Sequence, residues 1–199
     1  MPRIPQFTKE DIAESALQII EKKGVISLTA RNLGKMLGVS SSPIFTLFDS
    51  MDEVVEEARR LGQSQFDSLM SDVTDYSPSF KEFGMRLIRF ARDRSNVFAF
   101  LFLDESADNT MLMKKVRECL FEVEEHFNMS KEQTDVLFRQ MWTFACGLSV
   151  LCSQNPNAHS EDEISEMLSC QFSAMLYLLK SGQKIVNIEP KKKNPSEDI

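Results

Sequence analysis

Apolar residues recur at helical spacing along most of the chain. In the first such stretch, Ile12, Ala16 and Ile20 share one face of a helix. Thr8 stands where that helix needs a cap, and Gly24 stands where it ends. The same pattern predicts about nine helices, which cover residues 7–23, 29–37, 41–47, 50–73, 78–90, 97–103, 108–128, 131–153 and 161–180. Later helices have predicted caps at Ser77 and Asp108 and predicted capping boxes at Ser130 with Gln133 and Ser160 with Glu163.

One segment, Val97–Leu103, is a continuous apolar run, VFAFLFL, of a kind that buried strands and buried helices share. The rest of the sequence offers no second strand candidate that could pair with it. We therefore interpret this run as a short buried helix, and we predict an all-α fold.

The segment Leu28–Phe48 predicts two short helices joined by a tight turn. Leu33 and Leu37 lie on the apolar face of the first helix, and Gly38 interrupts the pattern where the chain must turn. Three serines and Pro43 then begin a second helix with an apolar face of its own. Helix, glycine-containing turn and helix form the helix-turn-helix unit that reads DNA.

A long helix precedes this unit, and the sequence FDSMDEVV follows it. In this order, residues 7–58 resemble the DNA-binding domain of the TetR family of bacterial transcriptional regulators. The resemblance implies a three-helix head at 1–50 and a helical ligand-binding and dimerisation body at 51–182. We predict a disordered tail at 183–199, where prolines and a KKKN run replace the apolar pattern.

Three positions depart from the family pattern. Where members usually carry threonine or serine, tyrosine and lysine, this chain has Pro43, Phe45 and Met51. Each change removes a group that usually contacts phosphate. Either Arg3 and Lys9 of the N-terminal arm compensate, or the affinity for DNA is modest.

Charge and composition narrow the picture further. The net charge is −7, but residues 1–48 hold six basic and four acidic residues, so the head carries +2 and the rest −9. No apolar run approaches the ~18 residues that span a bilayer. Residues 1–11 lack the apolar core of a signal peptide, so we expect a cytoplasmic protein.

Nothing in the sequence predicts catalysis, a metal or a cofactor. We find no nucleophile elbow, no paired carboxylates in an apolar setting and no phosphate-binding glycine loop. The four cysteines form no CxxC pair and are expected to be reduced. His126 and His159 have no neighbouring ligand pattern, so we predict that the protein is not an enzyme and binds no metal.

The candidate sites fall into three groups. The helix-turn-helix offers DNA the side chains of Arg31, Lys35, Ser41, Ser42, Phe45 and Thr46. The resemblance implies a cavity for a small apolar effector, with walls predicted from Phe98, Phe102, Met141, Trp142 and Ala145. The last two long helices would supply a homodimer interface through Phe144, Leu148, Leu151, Leu168, Phe172, Met175 and Leu176.

The leading hypothesis is a ligand-responsive transcriptional repressor that binds a palindromic, double-stranded operator as a homodimer. The alternative is an all-helical dimeric ligand-binding or interaction module with little affinity for DNA. The departures at Pro43, Phe45 and Met51 keep that alternative open.

Overall fold

The computed structural model of the chain describes residues 7–104 and 110–182. Within these residues the fold is all-helical, as predicted, and has no strand. Its eight α-helices are α1 Lys9–Lys23, α2 Ala30–Leu37, α3 Met51–Leu69, α4 Ser79–Asp93, α5 Ser95–Phe98, α6 Thr110–Phe127, α7 Lys131–Gln154 and α8 Glu161–Ser181. Shorter turns join them, namely 3-10 helices at Val25–Ser27, Ile44–Thr46 and Val73–Asp75 and a π-helix at Ala99–Leu103.

Several helix ends follow the predicted capping chemistry. The Thr8 hydroxyl accepts from Asp11 N at 3.1 Å, while the Asp11 carboxylate accepts from Thr8 N at 2.8 Å. The same reciprocal box opens α7 at Ser130 and α8 at Ser160. Gly182 ends α8 in the left-handed conformation, with φ 66°. Residues within one helical turn of each other therefore set these boundaries.

Other helix boundaries differ from the prediction. The helix predicted at 50–73 is shorter in the structure, because α3 ends at Leu69 and a separate 3-10 turn follows. The predicted short helix at 97–103 is the end of α5 continued as a π-helix. The predicted cap at Asp108 and the predicted tail at 183–199 lie outside the described residues.

The start of α4 is capped from another helix. The prediction that Ser77 caps this helix is wrong, because α4 begins at Ser79 and the Ser77 hydroxyl donates to Glu122 at 3.1 Å instead. Glu122, on α6, also accepts from Ser79 N at 3.2 Å. A carboxylate at a helix N-terminus satisfies a free backbone N–H and lies favourably in the helix dipole.

The core runs through the head and the body. In the head, Ile12 of α1, Leu33 of α2 and Ile44 of the following turn are each fully buried. In the body, α4 lies at the centre and packs against α6, α7 and α8. Its Phe83 and Leu87 are at most 2 % exposed. This central position makes α4 a wall of the body's cavity.

Helix α7 has the length and apolar composition of a membrane-spanning helix, the one described helix that does. One apolar face of α7 nevertheless packs inside the protein. Leu137, Met141 and Leu148 are each buried to 3 % exposure or less. Those contacts are typical of the core helix of a bundle.

Candidate DNA interface and ligand cavity

The head has a groove between α2 and the turn that follows it. Thr29 caps α2 by accepting from Asn32 N at 3.2 Å, and Gly38 ends the helix with φ 72°. The chain then passes so close to Gly34 that a Cβ there would lie 2.9 Å from the Val39 carbonyl oxygen. Glycine at this position therefore lets the turn pack directly on α2.

The second helix of the unit differs from the prediction. In place of an α-helix at 41–47, the structure has a 3-10 helix at Ile44–Thr46. Pro43 has no N–H to donate, and the turn closes with a bond from Thr46 N to Pro43 O at 3.3 Å. So short a segment forms too few i→i−4 bonds to hold an α-helix. The buried Ile44 anchors it to the head instead.

The predicted DNA-binding residues lie on the groove and on this turn. The groove is lined by Ala30, Arg31, Asn32, Lys35, Val39, Ser40 and Ser41. Ser42, Phe45 and Thr46 are exposed on the turn beside it. Within the described part of the chain, neither Arg31 nor Lys35 forms an ion pair. Both cations therefore remain available to an anion.

Lys9, one of the two cations that could compensate for the lost phosphate contacts, is engaged elsewhere. Its Nζ lies 2.7 Å from Glu53 Oε1 and 4.8 Å from the centre of the Phe48 ring. The hydrogen bond to Glu53 raises the pKa of Lys9. Arg3, the other such cation, lies outside the described residues. Among the residues that line the groove, the cations are Arg31 and Lys35.

The body contains a cavity of about 360 Å³ between α4, α6, α7 and α8. This volume lies within the range of small-molecule sites, roughly 300–1,000 Å³. Its apolar lining is Pro78, Phe80, Phe83, Gly84, Val123, Phe127, Met141, Trp142, Ala145, Leu168 and Phe172. The abundance of aromatic rings suits a flat apolar molecule.

A few polar groups complete the lining. Ser77, Lys81, Glu122 and His126 lie where α4 begins and α6 ends, and Ser169 and Ser173 belong to α8. The hydrogen bond from the Ser79 hydroxyl keeps the pKa of Glu122 below its usual value. Glu122 is therefore ionised at neutral pH and already engaged in capping α4.

The structure separates the predicted cavity residues into two groups. Met141, Trp142 and Ala145 do line the cavity. Phe98 and Phe102 do not, because they pack in an aromatic cluster with Phe66 of α3 and Phe90 of α4. The ring centres of Phe66 and Phe102 are 4.9 Å apart, and those of Phe98 and Phe102 are 5.5 Å apart.

Most of the predicted interface residues face inward. Leu148 and Leu168 are each 3 % exposed and Met175 is 9 % exposed, so these three pack inside the single chain. Phe172 lines the cavity. Phe144 and Leu176 are half-buried, and Leu151 remains 54 % exposed. Because α7 and α8 each have two apolar faces, the helical period could not predict which face packs inside the chain and which stays exposed.

Two residues that we did not predict mark the outer face of α7 and α8. Tyr177 of α8 is 65 % exposed. Gly147 lies in the interior of α7, and a Cβ there would meet nothing within 4 Å. Glycine in a helix interior is unfavourable by about 0.8–1 kcal/mol relative to alanine, and packing within this chain gives no reason for it.

Comparison with known proteins shows the fold. The sequence matches no family model and no curated protein. A transcriptional regulator from Rhodococcus sp. Rha1 aligns with a TM-score of 0.64 at 17% identity, over 91% of this chain and 100% of that one. NalD, the secondary repressor of the MexAB-OprM multidrug efflux pump in Pseudomonas aeruginosa, aligns with a TM-score of 0.50 at 15% identity, over 84% of this chain and 94% of NalD. The chain thus shares its all-helical architecture with solved transcriptional regulators.

Proposed function

We propose that this chain is a ligand-responsive transcriptional regulator of the TetR type, most simply a cytoplasmic repressor. The observation that carries the proposal is a single chain with a cationic groove between α2 and the turn after it and an aromatic cavity in its body. The fold shared with the Rhodococcus regulator and NalD supports it. Arg31 and Lys35 hold phosphates, and the turn after α2 faces the bases.

Two copies bind a palindromic operator. Their pairing joins the outer faces of α7 and α8, where Leu151 and Tyr177 are exposed and Gly147 allows a partner helix to approach closely. A dimer also places two recognition turns on successive major grooves, about 34–36 Å apart. An apolar effector in the cavity lowers the affinity for the operator by the coupling typical of such proteins, about 1–3 kcal/mol.

Selection of DNA by the full-length protein tests this function. A random duplex library is enriched for binders, and gel shifts across a salt series follow. Each phosphate contact contributes about 0.9 to the log–log salt slope. Arg31→Ala with Lys35→Ala removes two contacts from each of the two subunits, so the double variant should flatten the slope by about 3.6. Lys131→Ala, at the start of α7, is the matched control and should leave the slope as it is.

A specific observation favours the second candidate, an interaction module with little DNA affinity. The ammonium of Lys9 is paired with Glu53, and residue 45 lacks a tyrosine hydroxyl. Failure of the library to yield any enriched duplex would favour that module and contradict the regulator.

A further inference from the structure

The recognition turn, residues 39–50, lacks the side chains that form bidentate bonds with purine bases. Residues 39–50, VSSSPIFTLFDS, contain no arginine, lysine, asparagine, glutamine or histidine. Those are the side chains that usually form bidentate bonds with guanine or adenine in the major groove. Thr46 does not fill the role, because its hydroxyl donates to Pro43 O at 2.6 Å within the turn.

The turn presents an aromatic ring instead. Phe45 is 46 % exposed, although Ile44 before it is fully buried and Phe48 after it is 2 % exposed. Among the aromatic pairs of the described residues, the Phe45 ring has no partner. An unpaired phenyl ring beside a cationic groove is suited to an apolar group on a polyanion.

The major groove offers one such group on its base edges, the C5-methyl of thymine. We propose that Phe45 selects operator sequence by packing on thymine methyl groups, while Arg31 and Lys35 supply sequence-independent affinity through phosphates. This inference rests on the DNA-binding function proposed above. Phe45 is then a specificity residue. The tyrosine usual at this position contacts phosphate through its hydroxyl, whereas Phe45, which has no hydroxyl, contacts a base.

Replacement of thymidine by deoxyuridine tests the contact, because it removes the methyl group and keeps every hydrogen-bonding group. A duplex enriched by the full-length protein is resynthesised with deoxyuridine at each thymine in turn. Burial of one methyl group is worth about fourfold in affinity. In each half-site, we expect at least one thymine whose replacement by deoxyuridine weakens binding by the wild-type protein about fourfold.

Protein variants assign that effect to Phe45. Phe45→Ala should bind the thymine and uracil duplexes equally, whereas Phe45→Tyr, which keeps the ring, should retain the preference for thymine. Arg31→Ala should weaken binding to the thymine duplex and to the uracil duplex by the same factor. Melting curves of each variant establish that the head remains folded.

The outcomes separate this inference from the function on which it rests. If no duplex is enriched, the DNA-binding function fails and this inference fails with it. If a duplex is enriched but deoxyuridine changes nothing, or if Phe45→Ala keeps the preference for thymine, DNA binding stands and the role of Phe45 is overturned.

Discussion

Arg94 joins the body to the head through Glu21. Arg94 Nε donates to Glu21 Oε1 at 2.6 Å, and Arg94 Nη1 donates to Gln65 Oε1 at 3.0 Å. One guanidinium thus holds the junction of α4 and α5 to both α1 and α3. Asn96 strengthens the link, because its side-chain amide donates to the Glu21 carbonyl oxygen at 2.9 Å.

Loss of this link should loosen the end of α1. We expect Arg94→Ala to raise the hydrogen-exchange rate of the α1 C-terminus and of the 3-10 turn at Val25–Ser27 by up to about fivefold, since a partly exposed pair is worth about 1 kcal/mol or less. Arg60→Ala removes an ion pair within α3 and is the control. Equal exchange in both variants would mean that Arg94 does not couple the two parts.

Filling the cavity should exclude apolar molecules. Ala145 lines the cavity and is 6 % exposed, so the indole of Ala145→Trp would project into that space. Binding of the uncharged dye N-phenyl-1-naphthylamine, followed by fluorescence, should weaken at least tenfold. Ala158→Trp, in the loop before α8, should bind the dye like wild type. Equal dye binding by both variants would place the dye outside this cavity.

Substitution of Gly147, in the interior of α7, should disrupt the proposed dimer. We expect Gly147→Leu to shift sedimentation at micromolar concentration from dimer to monomer, because the new side chain blocks the approach of the partner helix. The monomer should stay helical, since leucine is the better helix former. Ser64→Leu, on the exposed face of α3, is the control. A Gly147→Leu variant that remains dimeric would place the interface elsewhere.

Glu161, at the start of α8, should make the free energy of unfolding depend on pH. Hydrogen bonds from Arg89 first, and then from Arg92, lower the pKa of Glu161 to about 2. Since the folded pKa lies below the unfolded value of 4.5, the stabilisation is complete above about pH 4.5 and is lost as pH falls toward 2. Because the pair is partly exposed, we expect at most about 1 kcal/mol.

Urea unfolding across pH measures this contribution. Glu161→Gln should be less stable than wild type at pH 7, and the difference should close as the pH falls from about 4.5 to 2. Asp162→Gln, a neighbouring acid in the first turn of α8, is the control and should show a smaller change. A difference that stays constant with pH would show that ionisation of Glu161 does not contribute.

The sequence by itself determined where most helices begin and end. Thr8, Ser130 and Ser160 form the predicted capping boxes because each acts on a residue three positions along the chain. It also determined that the fold is all-α, since helical spacing is a local property. The head's unit was recognisable for the same reason, with Gly38 and the serines in fixed positions along the chain.

Only the tertiary structure decided which apolar side chains surround a space and which fill one. Phe102 and Trp142 are both aromatic residues in apolar stretches of the sequence, yet Phe102 packs against other aromatic rings and Trp142 lines the cavity. Glu122 caps α4 from 43 residues away, which no local pattern predicts. Helical period specifies the face on which a side chain lies. What that face meets depends on how distant helices pack, and so the cavity walls and the free face of α7 emerge only from the folded chain.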